Sequence, residues 1–334
     1  MPIKTKSFKK TRVLAAIIFA LSIPVFFCRA TVIFQDDFES QSASWNVGGG
    51  PLATPPEQSG IWDVWEVKRF TSMGCPANPA GLPASADGYV VYLKPNGGYN
   101  GTKGVAVNVA SCMTDLNGWV GGTRWVAPAA SNYADLYIGS HVKLDQEIGV
   151  LGNDGWWKMG WWIVNNADNN IYWDFINNNP DNWSNNLTGG NDSWAFASGG
   201  MWDCSGLDWA NAIPQSAVFD GQWHWIEHHV KYNTTAGSND AVYQVWLDGS
   251  LVYEKTNFKI WCTGSIPKVT WVYFYIGNAC GPDNCNGQAR YANTNAAGIN
   301  FDNIKISTTY NGPPGQTLPG DTTPPAAPNG LTIR

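Results

Sequence analysis

Short apolar and aromatic runs recur along the chain, and clusters of Gly, Asn, Asp and Pro separate them. Apolar positions rarely follow the spacing of a helix, whereas short runs that end at turn residues are typical of antiparallel β-structure. The pattern predicts strands at residues 31–34, 62–70, 88–93, 105–109, 134–144, 156–164, 171–176, 223–232, 241–247, 251–256, 269–277 and 299–307.

This number of strands exceeds one small sheet, and two packed antiparallel sheets allow every strand to bury one of its faces. The sequence therefore predicts an all-β protein built as a two-sheet β-sandwich. The segment 177–214 is polar and dotted with Trp, so we expect it to form loops over one face.

The first thirty residues have the features of a secretory signal. Basic residues at positions 4–12 precede an apolar run at 13–27, and Ala30 is a small residue suited to cleavage. The apolar run is shorter than the ~18 residues that span a bilayer, which disfavours a membrane anchor. A lipid anchor at Cys28 is the other alternative, disfavoured by the bulky residues before it. We therefore expect a protein that is secreted or displayed at the cell surface, with no membrane span after cleavage.

Composition divides the rest of the chain in two. Residues 31–310 carry the predicted strands and form one expected domain. Residues 311–334 are rich in Pro, Gly and Thr and have too few apolar side chains for a core, so we expect a semi-rigid linker tail.

The charge balance narrows the range of partners. The 334 residues include 20 Lys and Arg and 26 Asp and Glu, for a net charge of −6. Six of the basic residues lie in positions 1–30, so the remaining chain has 14 basic and 26 acidic residues and a net charge of −12. This balance argues against a nucleic-acid partner, which needs a basic stripe to meet phosphates. Aromatic residues at 13% also exclude a disordered acidic chain.

Six cysteines follow the predicted signal, and an even number in an exported chain indicates disulfides. Cys280 and Cys285 bracket a turn-rich loop, which favours their pairing. The sequence-local pairings of the others are Cys75–Cys112 and Cys204–Cys262. A zinc site is the alternative, and it is disfavoured because no C-x₂-C pair is present.

Asp248-Gly249 separates two of the predicted strands and is a strong signal for a hairpin turn. In the strand at 223–232, alternation puts Glu227, His229 and Lys231 on one face. We interpret them as solvated charges on an outer sheet face, which is ordinary in antiparallel sheets. The alternative is a general acid/base cluster.

Three segments around this hairpin resemble a known family. They are Gly-Gln-Trp-His-Trp-Ile-Glu at 221–227, Val-Tyr-Gln-Val-Trp-Leu-Asp-Gly at 242–249 and Phe-Asp-Asn-Ile-Lys-Ile-Ser at 301–307. They are similar to the concanavalin A-like lectin and glucanase jelly rolls, and most similar to the jelly-roll polysaccharide lyases that act on alginate and glucuronan. The resemblance covers 31–310 and implies a jelly-roll sandwich with this hairpin in the convex sheet.

The resemblance implies a concave sheet built from segments 156–163, 171–175 and 269–276. Aromatic rings stack on the flat C–H faces of sugars, and polar side chains bond the hydroxyl groups. The expected polysaccharide-binding residues are Trp156, Trp162, Trp173, Asp174, Trp271 and Tyr273. The alternative is that half or more of the Trp side chains fill the core.

A lyase that acts on uronates needs a group that stabilises the substrate carboxylate and a base and acid that move the proton. Lys158 lies where the related lyases carry Gly-Gly-Lys-Leu-Pro-Gly, but here the segment 156–161 is Trp-Trp-Lys-Met-Gly-Trp. Tyr172 and His141 are the predicted catalytic partners of Lys158. The alternative for Lys158 is a charge at the rim of the groove. The Glu-x-Asp-x-x-Glu strand of the superfamily's glucanases is missing from the sequence, which argues against hydrolysis by that route.

In jelly rolls of this kind the first and last strands lie together, and oxygen ligands there often hold calcium. The resemblance therefore implies a structural Ca²⁺ at Asp37 and Asp302, with a simple turn as the alternative. Three functions follow from the sequence: a polysaccharide-binding protein, a polysaccharide lyase acting by β-elimination, and a structural adhesion protein.

Overall fold

The computed structural model describes residues 31–41, 61–65, 69–110, 112–113, 119–145, 157–165, 170–174, 217–218, 220–261, 264–266, 268–278 and 297–315. Within these residues the chain forms strands and three short 3₁₀ turns. The strands are β1 Val32–Asp36, β2 Ile61–Trp65, β3 Val91–Lys94, β4 Gly104–Val109, β5 Trp119–Val126, β6 Asp135–Leu144, β7 Trp157–Asn165, β8 Asn170–Asp174, β9 His224–Lys231, β10 Ala241–Leu247, β11 Ser250–Phe258, β12 Val269–Asn278 and β13 Ala297–Ser307.

The strands form two antiparallel sheets. The large sheet has the order β11-β10-β9-β6-β13-β4-β3, and β1 pairs with the second half of β13. The small sheet has the order β2-β5-β12-β7-β8. The described residues thus form the all-β, two-sheet jelly-roll sandwich that was predicted, and the segments expected to form one sheet around β7, β8 and β12 are neighbours.

The core lies between the sheets and follows from alternation along each strand. Phe274 of β12 meets Phe301 of β13 with ring centroids 5.6 Å apart, and Phe34 of β1 approaches Trp125 of β5 at 6.5 Å. All four side chains are buried in one hydrophobic cluster. Because successive side chains on a strand point to opposite faces, these contacts also establish which positions face away from the core.

Strand β5 is missing from the predicted set. Its sequence, Trp-Val-Gly-Gly-Thr-Arg-Trp-Val, has two adjacent glycines that weaken the strand pattern. The strand predicted at 62–70 is also wrong at its end, because Phe70 begins a 3₁₀ turn, Phe70–Met73. Two strands flank β5 in the small sheet, and their pairing stabilises it where its own pattern is weak.

The predicted hairpin is confirmed. Strands β10 and β11 pair in antiparallel register up to Leu247 and Ser250, and the turn between them is Asp248-Gly249. Their φ angles are 51° and 82°. Positive φ at both central residues defines the type I′ turn, which Asp-Gly favours.

The prediction of solvated charges on β9 is wrong for Glu227 and His229. Glu227 is 0% exposed and His229 is 7% exposed. The chain after β13 covers this face, and the backbone N–H groups of Asn311 and Gly312 donate to the two carboxylate oxygens of Glu227 at 2.7 and 2.9 Å. His229 stacks on Tyr137 with ring centroids 4.0 Å apart.

The predicted disulfide between Cys75 and Cys112 is confirmed, with an S–S distance of 2.05 Å. The predicted pairings Cys280–Cys285 and Cys204–Cys262 lie outside the described residues. So do the predicted signal at 1–30 and the loops predicted at 177–214. In the part of the chain that the structure describes, no helix has the length and hydropathy to cross a membrane.

Candidate functional site

One row of residues crosses the small sheet on the face turned away from the core. On β12, Val272 and Phe274 belong to the core, so the alternate residues Trp271 and Tyr273 lie on the other face. Strand register places Tyr273 opposite Arg124 of β5, and Arg124 opposite Asp63 of β2. On the other side, Tyr273 is opposite position 162 of β7, which is opposite position 172 of β8. We call these five positions the outer row.

Asp63 and Arg124 form a two-point ion pair in this row. Arg124 donates from Nε to Asp63 Oδ1 at 2.7 Å and from Nη2 to Asp63 Oδ2 at 2.8 Å. The side chains are 18% and 27% exposed, so the pair is accessible from solvent but partly shielded. The hydrogen bonds to Asp63 raise the pKa of Arg124 above its ordinary value, so the guanidinium stays charged.

Two aromatic rings flank the guanidinium. Its Cζ atom lies 5.9 Å from the ring centroids of both Trp271 and Tyr273, within the range of cation–π attraction. Trp271 is partly exposed, whereas Tyr273 is only 2% exposed. Of these two predicted sugar-binding residues, Trp271 is therefore the one accessible to a ligand, and Tyr273 packs beside Arg124.

Several predicted residues share this face. Position 158 is opposite Gly277, and position 174 is opposite Gly160. By register and alternation, positions 158, 162, 172 and 174 belong to the same set of alternate positions as the outer row. Trp156 lies outside the described residues.

The register separates Trp173 from the other predicted sugar-binding positions. Position 173 is opposite position 161, which is opposite Phe274. Phe274 and its neighbour Thr123 on β5 are both fully buried, and Phe274 belongs to the core between the sheets. Position 173 thus belongs to the register row of Phe274, and positions 162, 172, 271 and 273 belong to the alternate row.

His141 does not lie with Lys158 and Tyr172. It belongs to β6 in the large sheet, and it is 3% exposed. Its ring stacks on Tyr99 with centroids 3.7 Å apart and meets Trp225 edge-on at 5.2 Å. Burial lowers the pKa of His141 to about 4, so its imidazole is neutral. Alternation placed His141 on a face, but it could not show which sheet that face belongs to.

The two predicted calcium ligands, Asp302 and Asp37, accept hydrogen bonds from neighbouring residues of the protein. The Asp302 carboxylate accepts hydrogen bonds from the Tyr99 N–H at 2.7 Å, the Thr102 hydroxyl at 2.8 Å and the Asn303 N–H at 2.6 Å. Asp37 accepts one from the Glu39 N–H at 3.1 Å. Among the described side chains, no group of three or more His, Cys, Asp or Glu is arranged to hold a metal ion. Calcium binding at Asp37 and Asp302 stays a prediction.

Sequence reasoning missed Asp63 and Arg124. Arg124 lies on the strand that the glycine pair concealed, and Asp63 is 61 residues earlier in the chain. The available signal was a single Arg between two Trp residues in an otherwise uncharged run. A charged side chain in such a strand indicates a partner, but only the pairing of β2 with β5 identifies it.

No protein-family model matches the chain, and a search of curated protein sequences found no match. Among solved structures, the chain is similar to an endo-β-1,4-glucuronan lyase from Trichoderma reesei, with a TM-score of 0.42 and 14% identity over 66% of this chain and 87% of that one. It is similar to the fourth domain of an extracellular arabinanase from Geobacillus stearothermophilus, solved with arabinotriose, with a TM-score of 0.39 and 12% identity over 83% and 92%. It is also similar to an alginate lyase from Chlorella virus, with a TM-score of 0.37 and 15% identity over 65% and 88%. Glucuronan and alginate lyases are the group that the sequence resembles.

Proposed function

We propose that the protein binds an extracellular polysaccharide on the outer face of the small sheet. The observation that carries the proposal is the partly exposed ring of Trp271 beside the Asp63–Arg124 pair. A sugar unit presents a flat apolar face and a rim of hydroxyl groups. An indole ring matches the first, and a fixed carboxylate and guanidinium match the second.

The ion pair suits this task because it holds its own geometry. Two parallel hydrogen bonds orient the guanidinium plane, and the flanking rings restrict it further. A site that is ordered before binding loses less conformational entropy when the ligand arrives. The predicted secretory signal agrees with a partner outside the cell.

Replacing Trp271 with Ala is expected to weaken binding to the preferred polysaccharide at least about tenfold, because it removes the exposed ring. Affinity gel electrophoresis with a panel of polysaccharides measures this loss. Trp223 is a matched control, since it is also partly exposed but precedes β9 in the large sheet. Trp223→Ala should bind as the unmodified protein does. Equal losses in both variants, or no retardation by any polysaccharide, would contradict the proposal.

A second candidate function is β-elimination in a uronate polymer, and the register of the small sheet is the observation that favours it. Positions 158 and 172 share the face of Arg124. In such a reaction a cation offsets the substrate carboxylate while a base removes the neighbouring proton. Lys158 and Tyr172 are side chains of the required types.

Incubation with alginate and glucuronan tests this candidate, because elimination leaves an unsaturated product that absorbs ultraviolet light. Activity that disappears in Lys158→Ala would support the lyase and the role of Lys158. Retardation by a polysaccharide without any increase in absorbance would leave binding as the function.

A further inference from the structure

We propose that the outer face of the small sheet takes neutral polysaccharides rather than polymers of uronic acids. This inference rests on the proposed function and specifies its substrate class. It follows from the balance of charge on this sheet.

The charges of the small sheet cancel. Its five strands contain two acidic residues, Asp63 and Asp174, and two basic residues, Arg124 and Lys158, so the strands carry no net charge. A uronate polymer carries one negative charge on every sugar unit. On this sheet it meets no excess of positive charge that would offset the loss of water from its carboxylates.

The guanidinium at the centre of the site already has a carboxylate partner. Two of the five N–H donors of Arg124 are bound to Asp63. A substrate carboxylate bound at Arg124 would have to share its guanidinium with Asp63, which leaves two negative charges against one positive charge at this point of the sheet. Repulsion between the Asp63 carboxylate and the substrate carboxylate therefore disfavours binding of the charged ligand.

The charge of the whole chain acts in the same direction. Beyond the predicted signal, the sequence carries a net charge of −12. A protein of this charge repels a polyanion at long range, and the repulsion is strongest at low ionic strength.

A neutral sugar finds complementary groups at the same place. The carboxylate of Asp63 can accept hydrogen bonds from hydroxyl groups, and the N–H groups of Arg124 that bond neither Asp63 nor Tyr273 can donate to hydroxyl oxygens. Trp271 supplies the apolar surface, and no ionised ligand group has to lose its water.

Affinity electrophoresis of the full chain at about 20 mM and about 200 mM salt tests the substrate class, because electrostatic attraction and repulsion act over a longer distance at the lower salt concentration. The neutral probes are xylan, β-glucan, galactomannan and arabinan, and the uronate probes are alginate, glucuronan and polygalacturonate. We expect retardation by at least one neutral polymer at both salt concentrations, and at least about tenfold weaker binding to every uronate polymer.

Asp63→Asn provides the sharper test, because it leaves the charge of Arg124 without its partner. We expect a gain of about tenfold in affinity for glucuronan at low salt, lost at high salt, together with weaker binding of the neutral polymer. Asp87→Asn is the matched control, since Asp87 is exposed and lies beside a 3₁₀ turn of a different region. It changes the net charge equally and should not change the preference. Asp63→Glu keeps the negative charge and should keep the preference for neutral polymers.

The outcomes separate this inference from the proposed function. If the unmodified protein binds a uronate polymer more tightly than every neutral one, the neutral substrate class is overturned while polysaccharide binding stands. If binding to the neutral polymer is the same in Trp271→Ala, or no polymer binds, the proposed function itself fails. The comparison in the unmodified protein decides the substrate class even if Asp63→Asn does not fold.

Discussion

A variant with both Cys75 and Cys112 replaced by Ala is expected to lose about 4 kcal/mol of unfolding free energy, because the disulfide closes a long loop. The two cysteines are 37 residues apart. The crosslink reduces the conformational freedom of the unfolded chain, and the loss of that constraint is the main cost. Cys75 is buried in the same hydrophobic cluster as Phe70 and Met113, so Ala is preferred to Ser because it adds no buried hydroxyl group.

Urea unfolding of the variant and of the unmodified protein measures the difference. Addition of a reductant should narrow the difference between the two proteins, because only the unmodified protein has the Cys75–Cys112 crosslink to lose. A difference below about 1 kcal/mol would mean that the segment between the two cysteines is ordered without the crosslink.

Replacing Glu227 with Gln is expected to remove a pH dependence of stability that amounts to about 3 kcal/mol. Burial raises the pKa of Glu227 from its ordinary value of 4.5 to about 7, although the N–H groups of Asn311, Gly312 and Trp225 act in the opposite direction. The folded protein therefore binds this proton more tightly than the unfolded chain does. The stability that Glu227 contributes is fully present below pH 4.5 and is lost as the pH rises towards 7.

The measurement is the unfolding free energy in urea at several pH values between about 4 and 8. The difference between the unmodified protein and Glu227→Gln should fall as the pH rises through this window, because Gln does not titrate. Glu254→Gln is the control, since Glu254 is exposed on β11 of the same sheet and its substitution should preserve the pH profile. Parallel profiles for the unmodified protein and Glu227→Gln would show that Glu227 has the same pKa in the folded and the unfolded protein, which would contradict the prediction.

Local patterns were enough for much of the fold. The Asp248-Gly249 turn and the alternation on β9 were read correctly because both depend on residues within a few positions of each other. Strand β5 was missed because Gly121 and Gly122 interrupt its pattern, and its stability comes from two neighbouring strands that lie far away in sequence.

The candidate site was predicted only in part, for the same reason. Trp271 and Tyr273 follow from a strong strand pattern on β12, whereas Arg124 and its partner Asp63 depend on the pairing of two distant strands. His141 lies on a strand that was predicted correctly. That strand belongs to the large sheet, whereas its expected partners Lys158 and Tyr172 are on strands of the small sheet.

The sequence by itself determined the all-β class, the two layers and which residues of a strand share a face, because side-chain alternation and turn residues act over short distances. Only the tertiary structure decided which strands meet and what covers each face. The pattern of its own strand predicted a solvent-exposed Glu227, but residues more than 80 positions later in the chain cover its carboxylate. Burial, charge pairing and the composition of a site are set by contacts between distant segments, and alternation carries no information about them.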